Sequence, residues 1–420
     1  MYVVNSKKFL AYYLSFLFVF AFVNPNLLSI PIPYFNSFEV LIIPVLPLFL
    51  PFVLHKRLTR REMQLYFSIL CVILSSFISI LFAEYWRNDQ FISIFRYVEY
   101  AAVAYATSAI LDEEATLKCF IKGTVYFVIT ETFLGAIRFI VSSGHMRGYF
   151  LTNGIYLQQV FVALVALGAI LSSKDKRTAR NWFIMLIFLC CGILIAEIRI
   201  GYAVMVFSIG LFPFLFGGGL NRKLLRTLLT CLVLFLSVLV LLYRTGYLDV
   251  VLIRLQQLVE GTGTAQIRFL LWKLAWTLFI SHPVSGIGTG GFSRYKEYYA
   301  PSFSVVLEEE YMGLSTHHTI LDILAETGLI GFMAYILYCL CLMRIVRYLS
   351  KVSRIVHSNW NRIVAVAVQI SLISTLFMDT FAQGSFTQVG AVLTGVALGM
   401  STMLVENYEA DRAYEMAVSK

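Results

Sequence analysis

Stretches of about twenty mostly apolar residues recur along the chain, each long enough to cross a lipid bilayer as a helix. They lie near residues 9–28, 37–54, 63–82, 91–111, 119–141, 154–173, 182–198, 200–217, 226–243, 319–343, 360–379 and 386–405. That makes about twelve spans. Of the 420 residues, 59% are hydrophobic and 14% charged, too few polar groups to cover a soluble domain of this length. The expected fold class is therefore all-α, a polytopic membrane protein of about twelve transmembrane helices. No small-residue cleavage site follows the run at 9–28, so it reads as a first span rather than a signal peptide.

Basic residues set the orientation, because short cytoplasmic loops collect Lys and Arg. Lys7 and Lys8 precede the first run, and Lys56, Arg57, Arg60 and Arg61 follow the second. Lys174, Lys176, Arg177 and Arg180 follow the sixth, Arg222, Lys223 and Arg226 the eighth, and Arg344, Arg347, Lys351 and Arg354 the tenth. All these clusters fall on one side when the N-terminus is cytoplasmic, which makes both termini cytoplasmic. Trp86, Trp182 and Trp360 sit at span ends, where interfacial aromatics belong. The net charge of +9 is thereby explained by basic loops, without nucleic acid.

The chain divides into residues 1–243 with the first nine spans, a large extracytoplasmic loop at 244–318, and residues 319–420 with three more spans and a cytoplasmic tail. A loop of that length is expected to be functional. It carries helical patterns: "YLDVVLIRLQQLVEG" sets Leu248, Val251, Leu252, Leu255 and Leu258 on one face. "AQIRFLLWKLAWTLFISHP" spaces Arg268, Trp272 and Trp276 four apart and is expected to lie on the membrane surface, ended by Pro283. The seven cysteines lack metal-ligand spacing, and no disulfide or metal is expected.

A charge at the centre of a span costs about 2.5–3.5 kcal/mol and so marks either function or a buried pair. Arg96, Arg138 and Arg199 fall toward the outer ends of their runs, Arg147 in an outer loop and Arg268 in the long loop. Any one of them could snorkel to headgroups or pair with Glu99, Glu131 or Glu197. Together, on the face that otherwise lacks basic residues, they point to an anionic ligand. Guanidinium groups bind phosphate oxygens in bidentate fashion, which makes a diphosphate the natural candidate.

The stretch "STHHTILDILAETGLIGFMAYILY" at 315–338 looks like a membrane helix with an expensive beginning. Thr316 or Thr319 can cap it, and Thr319 with Asp322 makes a weak capping-box pattern. His317 then sits in the first turn, where the positive end of the helix dipole favours neutral imidazole. His318, Asp322 and Glu326 follow at four-residue steps, placed to form a network or to meet the arginines. A capping or interfacial histidine is the plainer reading of the start, but capping does not explain Glu326 so deep in the run.

"SHPVSGIGTGGF" (281–292) followed by "THHTILDILAETGLIG" (316–331) resembles the signature of the O-antigen ligase and polymerase superfamily. "IRFLLWKLAW" resembles the family's Arg-x-x-x-Trp element, and "AEIRIGYAVM" its Ser-Arg-Gly/Ala element. The clear motifs cover about a third of the chain. The resemblance implies a membrane-embedded, GT-C-like glycosyltransferase of the bacterial inner membrane, acting on its periplasmic side without cofactor or metal. It implies an undecaprenyl-diphosphate-linked oligosaccharide donor, a glycan or lipid A–core acceptor, and a chain-length regulator as a partner beside the membrane lipids. By position His317 would be the general base, with Arg199 and Arg268 on the donor diphosphate and Arg96, Arg138 and Arg147 as further candidates. His318, Asp322 and Glu326 would support them, while Gly286, Gly288 and Gly291 would let backbone approach the sugar or phosphates, or simply form a tight turn. His318 stands where the family has Asn, and Ile198 where it has Ser, which leaves open both the choice of histidine and the role of Arg199. Polymerase is the favoured activity, with ligase as the alternative and a lipid-linked oligosaccharide flippase as the rival of another class.

Overall fold

The computed structural model describes residues 2–20, 42, 45–85, 90–142, 155–196, 199–216, 222–244, 264–293, 315–355, 358–381 and 386–418. Their regular structure is helical, with no strand among the described residues. In chain order the helices are α1 (Tyr2–Val19), α2 (Leu46–His55), α3 (Arg60–Leu81), α4 (Gln90–Ile110), α5 (Glu114–Val141), α6 (Tyr156–Ser172) and α7 (Lys176–Ile195). They continue with α8 (Arg199–Phe216), α9 (Arg222–Arg244), α10 (Thr264–Ser281), α11 (Thr319–Ile355), α12 (Asn359–Met378) and α13 (Gln388–Val418). The segment 247–261, the acidic "LEEEY" at 307–311 and Trp86 lie outside the described residues.

Every expected span overlaps a helix, but six of the described helices are long and apolar enough to cross a membrane: α3, α5, α7, α11, α12 and the first part of α13. Two more, Tyr156–Ser172 and Ile200–Phe216, are apolar but shorter. The lower number has visible causes. α2 has 10 residues, with Pro51 inside it. α4 carries Arg96 and Glu99, which lower its hydropathy.

Large apolar side chains such as Phe67, Leu74, Phe95, Tyr126, Phe214 and Met333 are exposed, an outer surface that lipid rather than water would solvate. α12 and α13 are mostly buried within the bundle. Among the described residues the most extensive packing joins α11 to α3, α13 to α4, α1 to α5 and α6 to α7. Polar groups inside are paired across helices: the Tyr100 hydroxyl lies 2.8 Å from that of Tyr338 and 2.7 Å from Thr394 Oγ1, and Gln158 donates to the Phe18 carbonyl at 2.8 Å.

The bundle has two chemically distinct ends. At one, Lys7 pairs with Asp112 (2.5 Å) and Glu113 (2.7 Å), Lys56 with Glu62 (2.7 Å), and Arg61 stacks over Tyr348. A cavity of about 580 Å³ opens there between α1, α2 and α4, with Lys7, Lys56 and Asp112 in its wall. The glycine-rich turn after α10, the histidines before α11 and the starts of α4, α8 and α13 gather at the other end. This separation matches the side-to-side asymmetry of basic residues in the sequence.

α13 reaches α4 through two glycines one helical turn apart. A Cβ on Gly395 would lie 2.5 Å from the Ala104 carbonyl oxygen and 2.5 Å from Thr107 Cβ, and one on Gly399 would lie 2.5 Å from the Leu111 carbonyl oxygen. Small residues permit such backbone approach where there is no hydrophobic drive between helices in lipid. Gly395→Val is expected to destabilise the bundle by about 1–3 kcal/mol through overpacking. Gly210→Ala, where an added Cβ meets nothing within 4 Å, is expected to leave it intact. Thermal unfolding of the two detergent-solubilised variants, followed by size-exclusion profile, distinguishes them.

Candidate functional site

The site is built around a break in α11. Gly328 has φ 63° and ψ −158°, far from helical, and the backbone groups around it lose their intrahelical partners. The segment after α10 supplies replacements. Ile287 N–H donates to the Ala325 carbonyl at 3.0 Å and Gly288 N–H to the Glu326 carbonyl at 2.9 Å. In return Leu329 and Ile330 N–H donate to the carbonyls of Pro283 (2.9 Å) and Val284 (3.3 Å). The Ser79 hydroxyl from α3 also donates to the Glu326 carbonyl. Irregular backbone at membrane depth is tolerable when protein satisfies it in this way.

Two glycines permit the contact. A Cβ on Gly286 (φ 69°) would stand 2.3 Å from the Glu326 carbonyl carbon, and one on Gly328 would stand 2.4 Å from the Val284 carbonyl oxygen. Glu326 completes the joint, because its carboxylate accepts from Gly290 N–H at 2.8 Å and Phe292 N–H at 3.1 Å. Its depth in the apolar run thus has a structural cause. The turn's amides at 287, 288, 290, 291 and 292 all have protein acceptors. Gly288 (φ 98°) approaches Ala83 and Gln90, whereas an added Cβ on Gly291 would make ordinary contacts. Gly290 (φ 75°) and Gly328 are left-handed positions that the sequence reading did not single out.

α10 ends at Ser281, ahead of Pro283, and buries Leu271, Leu274, Ala275 and Leu278 against Ile287, Phe292 and Ala325. This cluster fixes α10 against the start of α11 and brings two of its residues to the histidines. Trp272 Nε1–H donates to the Thr316 carbonyl at 2.9 Å, and its ring meets His318 edge-on at 5.4 Å. Arg268, one turn earlier, lies close enough for its charge to act on His317.

The two histidines have different surroundings. His318, rather than Thr316 or Thr319, caps α11: its Nδ1 accepts Leu321 N–H at 3.4 Å, which requires that nitrogen to be unprotonated. Thr316 is buried, shares hydrogen bonds with the His318 backbone at 3.0 Å, and donates its own N–H to Asp322 Oδ1 at 3.2 Å. Asp322 therefore braces the loop ahead of the helix. His317 occupies a left-handed conformation, φ 52°, a region in which His is among the better tolerated residues. Burial, and then the positive charge of Arg268, hold its imidazole below the usual histidine range, and burial does the same for His318. Both rings favour the neutral form.

Beside the histidine loop lies a cavity of about 190 Å³, walled by α4, the segment leading into α13, the glycine turn and the first turns of α11. Arg96 is exposed on its α4 wall, and Asp322 and Glu326 line it from α11. Ser93, Tyr97, Phe386 and Thr387 complete its lining and were not singled out from sequence, since serines, threonines and aromatics in apolar runs carry no spacing signal. Asp379, fully buried at the end of α12 and accepting the Tyr335 hydroxyl at 2.7 Å, was also missed. A lone carboxylate closing an apolar run was its available signal.

Arg138 is half-buried in the last turn of α5, which packs chiefly on α1, α7 and α6. Arg199 opens α8 at the same end of the bundle, with its side chain and Glu197 outside the described residues, as is Arg147.

No curated protein is similar enough to the chain to count as a match. Residues 184–336, from α7 to the middle of α11, match the family model described as O-antigen ligase. That stretch contains Arg199, Arg268, the glycine turn, both histidines and the break at Gly328. Over that stretch, about a third of its length, the chain is similar to the O-antigen ligase family.

Proposed function

We propose that this protein is an inverting membrane glycosyltransferase that transfers glycan from a polyprenyl diphosphate carrier on the non-cytoplasmic face of the bacterial inner membrane. The reading rests on His317, whose imidazole burial and the positive charge of Arg268 hold below the usual histidine range, in a loop whose flanking Ser315 and Thr319 line a polar cavity. An unprotonated base accepts a proton, and a fixed cation stabilises negative charge that grows on a leaving group. The family match supports the same chemistry.

In this scheme the acceptor hydroxyl attacks the anomeric carbon of the donor sugar from the face opposite the diphosphate. The bond between that carbon and the diphosphate oxygen breaks, the carrier diphosphate leaves with the electron pair, and His317 takes the hydroxyl proton. Arg268 and Arg199 hold the departing diphosphate, with Arg138 as an additional cation at the same end of the bundle and Arg147 as a further candidate from the sequence. No metal is assigned a step. His318, Asp322 and Glu326 keep the base in place through the cap, the loop and the glycine turn.

The acceptor decides the name of the activity. A second lipid-linked repeat unit as acceptor makes the protein a polymerase, our preferred reading, while lipid A–core makes it a ligase, the activity in the description of the matching family. The family match gives the transporter reading no support. A deletion strain distinguishes the two activities: core bearing a single repeat is expected for a polymerase, and bare core with polymer left on its carrier for a ligase.

His317→Asn, which tolerates the left-handed backbone, is expected to lower turnover by about 10²–10⁴-fold, the contribution of a positioned base. His318→Ala is expected to lower thermal stability while keeping the shape of the pH profile. Because the base acts when unprotonated, turnover rises with pH through the His317 pKa, and in the parent that rise is centred below the usual imidazole midpoint. Arg268→Gln removes one of the two causes of that depression, so its rising limb should move to higher pH. A limb that does not move, or full activity in His317→Asn, removes His317 from the mechanism.

A further inference from the structure

The first turns of α11 present two adjoining faces. His318, Leu321 and Ala325 turn toward α10, whereas Thr319, Asp322, Ile323 and Glu326 line the cavity walled by α4 and the segment leading into α13. Steps of 100° per residue set these two rows about a third of a turn apart. Arg268 belongs to the α10 side, and Arg96 to the cavity. The two arginines thus serve different spaces.

Charge argues against a diphosphate in the cavity. Two carboxyl groups, Asp322 and Glu326, share its wall with one guanidinium, Arg96. An anion of high charge would meet both acids. A neutral polyol suits the same set, since its hydroxyls donate to the carboxylates and accept from Arg96. Each Glu326 oxygen takes one backbone N–H, and a carboxylate oxygen can accept more than one hydrogen bond. Ser93 and Thr387 add hydroxyls that both donate and accept. Tyr97 and Phe386, with ring centroids 4.9 Å apart and planes at 86°, provide an apolar wall for the C–H face of a ring. The volume of about 190 Å³ is on the scale of one sugar ring.

We infer that this cavity is a subsite for a neutral pyranose of the acceptor glycan, with Arg96, Asp322 and Phe386 as its principal contacts. The inference rests on the glycosyltransferase reading only for the word acceptor; the binding of a sugar there is a separate claim. It takes Arg96 away from the donor diphosphate and leaves that role to Arg268 and Arg199. It also places the acceptor hydroxyl beside His317, since Ser315 and Thr319, which bracket the histidine pair, both line the cavity.

The test is saturation-transfer difference NMR on the full chain in lipid nanodiscs. The probes are methyl glycosides of glucose, galactose, mannose and N-acetylglucosamine, with methyl glucuronide for comparison. At least one neutral glycoside is expected to receive saturation, falling severalfold in Phe386→Ala and in Arg96→Gln and persisting in His317→Asn. Absence of transfer to every neutral glycoside, or transfer unchanged in both cavity variants, overturns the assignment. So does binding confined to methyl glucuronide, which would make Arg96 a carboxylate receptor. Product formed by His317→Asn would instead sink the catalytic scheme and leave the sugar-binding result untouched.

Discussion

The docking of the glycine turn into the break of α11 is the constraint on which the candidate site depends. Breaking a helix inside a membrane protein strands carbonyls and amides that lipid cannot satisfy. Here the strand-like exchange between residues 283–288 and 325–330 satisfies them, and it does so only because bare backbone at Gly286 meets bare backbone at Gly328. The Glu326 carboxylate then ties the far end of the turn through Gly290 and Phe292. One joint thereby fixes α10, the turn and the head of α11 as a unit.

Everything about the histidines follows from that unit. With α10 held against α11 by Leu271, Leu274 and Leu278, Trp272 can reach the Thr316 carbonyl and flank His318. His318 is then occupied as the helix cap, while Arg268 is brought near His317. The two histidines are adjacent in sequence but not equivalent. The left-handed backbone at His317 directs its side chain away from the direction a continuing helix would give it. A cap, a burial cost and a nearby cation all act toward neutral imidazole, so the proton-accepting form is set by the fold.

Much of this was legible in the sequence because membrane residence makes charge expensive. Lone charges in apolar runs drew attention to Arg96, Asp322 and Glu326, and all three line one cavity. The glycine-rich motif and the histidine motif were paired by resemblance, and the structure joins them through hydrogen bonds. What escaped has an equally physical reason. Spacing does not report which glycine is left-handed, so Gly290 and Gly328 passed unnoticed. Hydroxyls such as Ser93 and Thr387 are inexpensive in helices and leave no mark. The capping residue was misassigned because Thr is the commoner cap, while tertiary contact with Trp272 gave that place to His318. Helix lengths also departed from hydropathy, as in α2, where Pro51 lies within a short helix.

The break at Gly328 bears on the rival transporter reading, because discontinuous helices are a hallmark of transport sites. In those sites the freed carbonyls and amides face the pathway and coordinate the cargo. In this chain the carbonyls of Ala325 and Glu326 and the amides of Leu329 and Ile330 are bonded to the segment 283–288. The break is filled by protein and bolted by Glu326, so opening it would expose those groups together. Such a joint resists the rocking that alternating access requires. It suits instead a rigid platform on which the proposed base and cation would keep fixed positions, the condition under which electrostatic stabilisation of a leaving group is most effective.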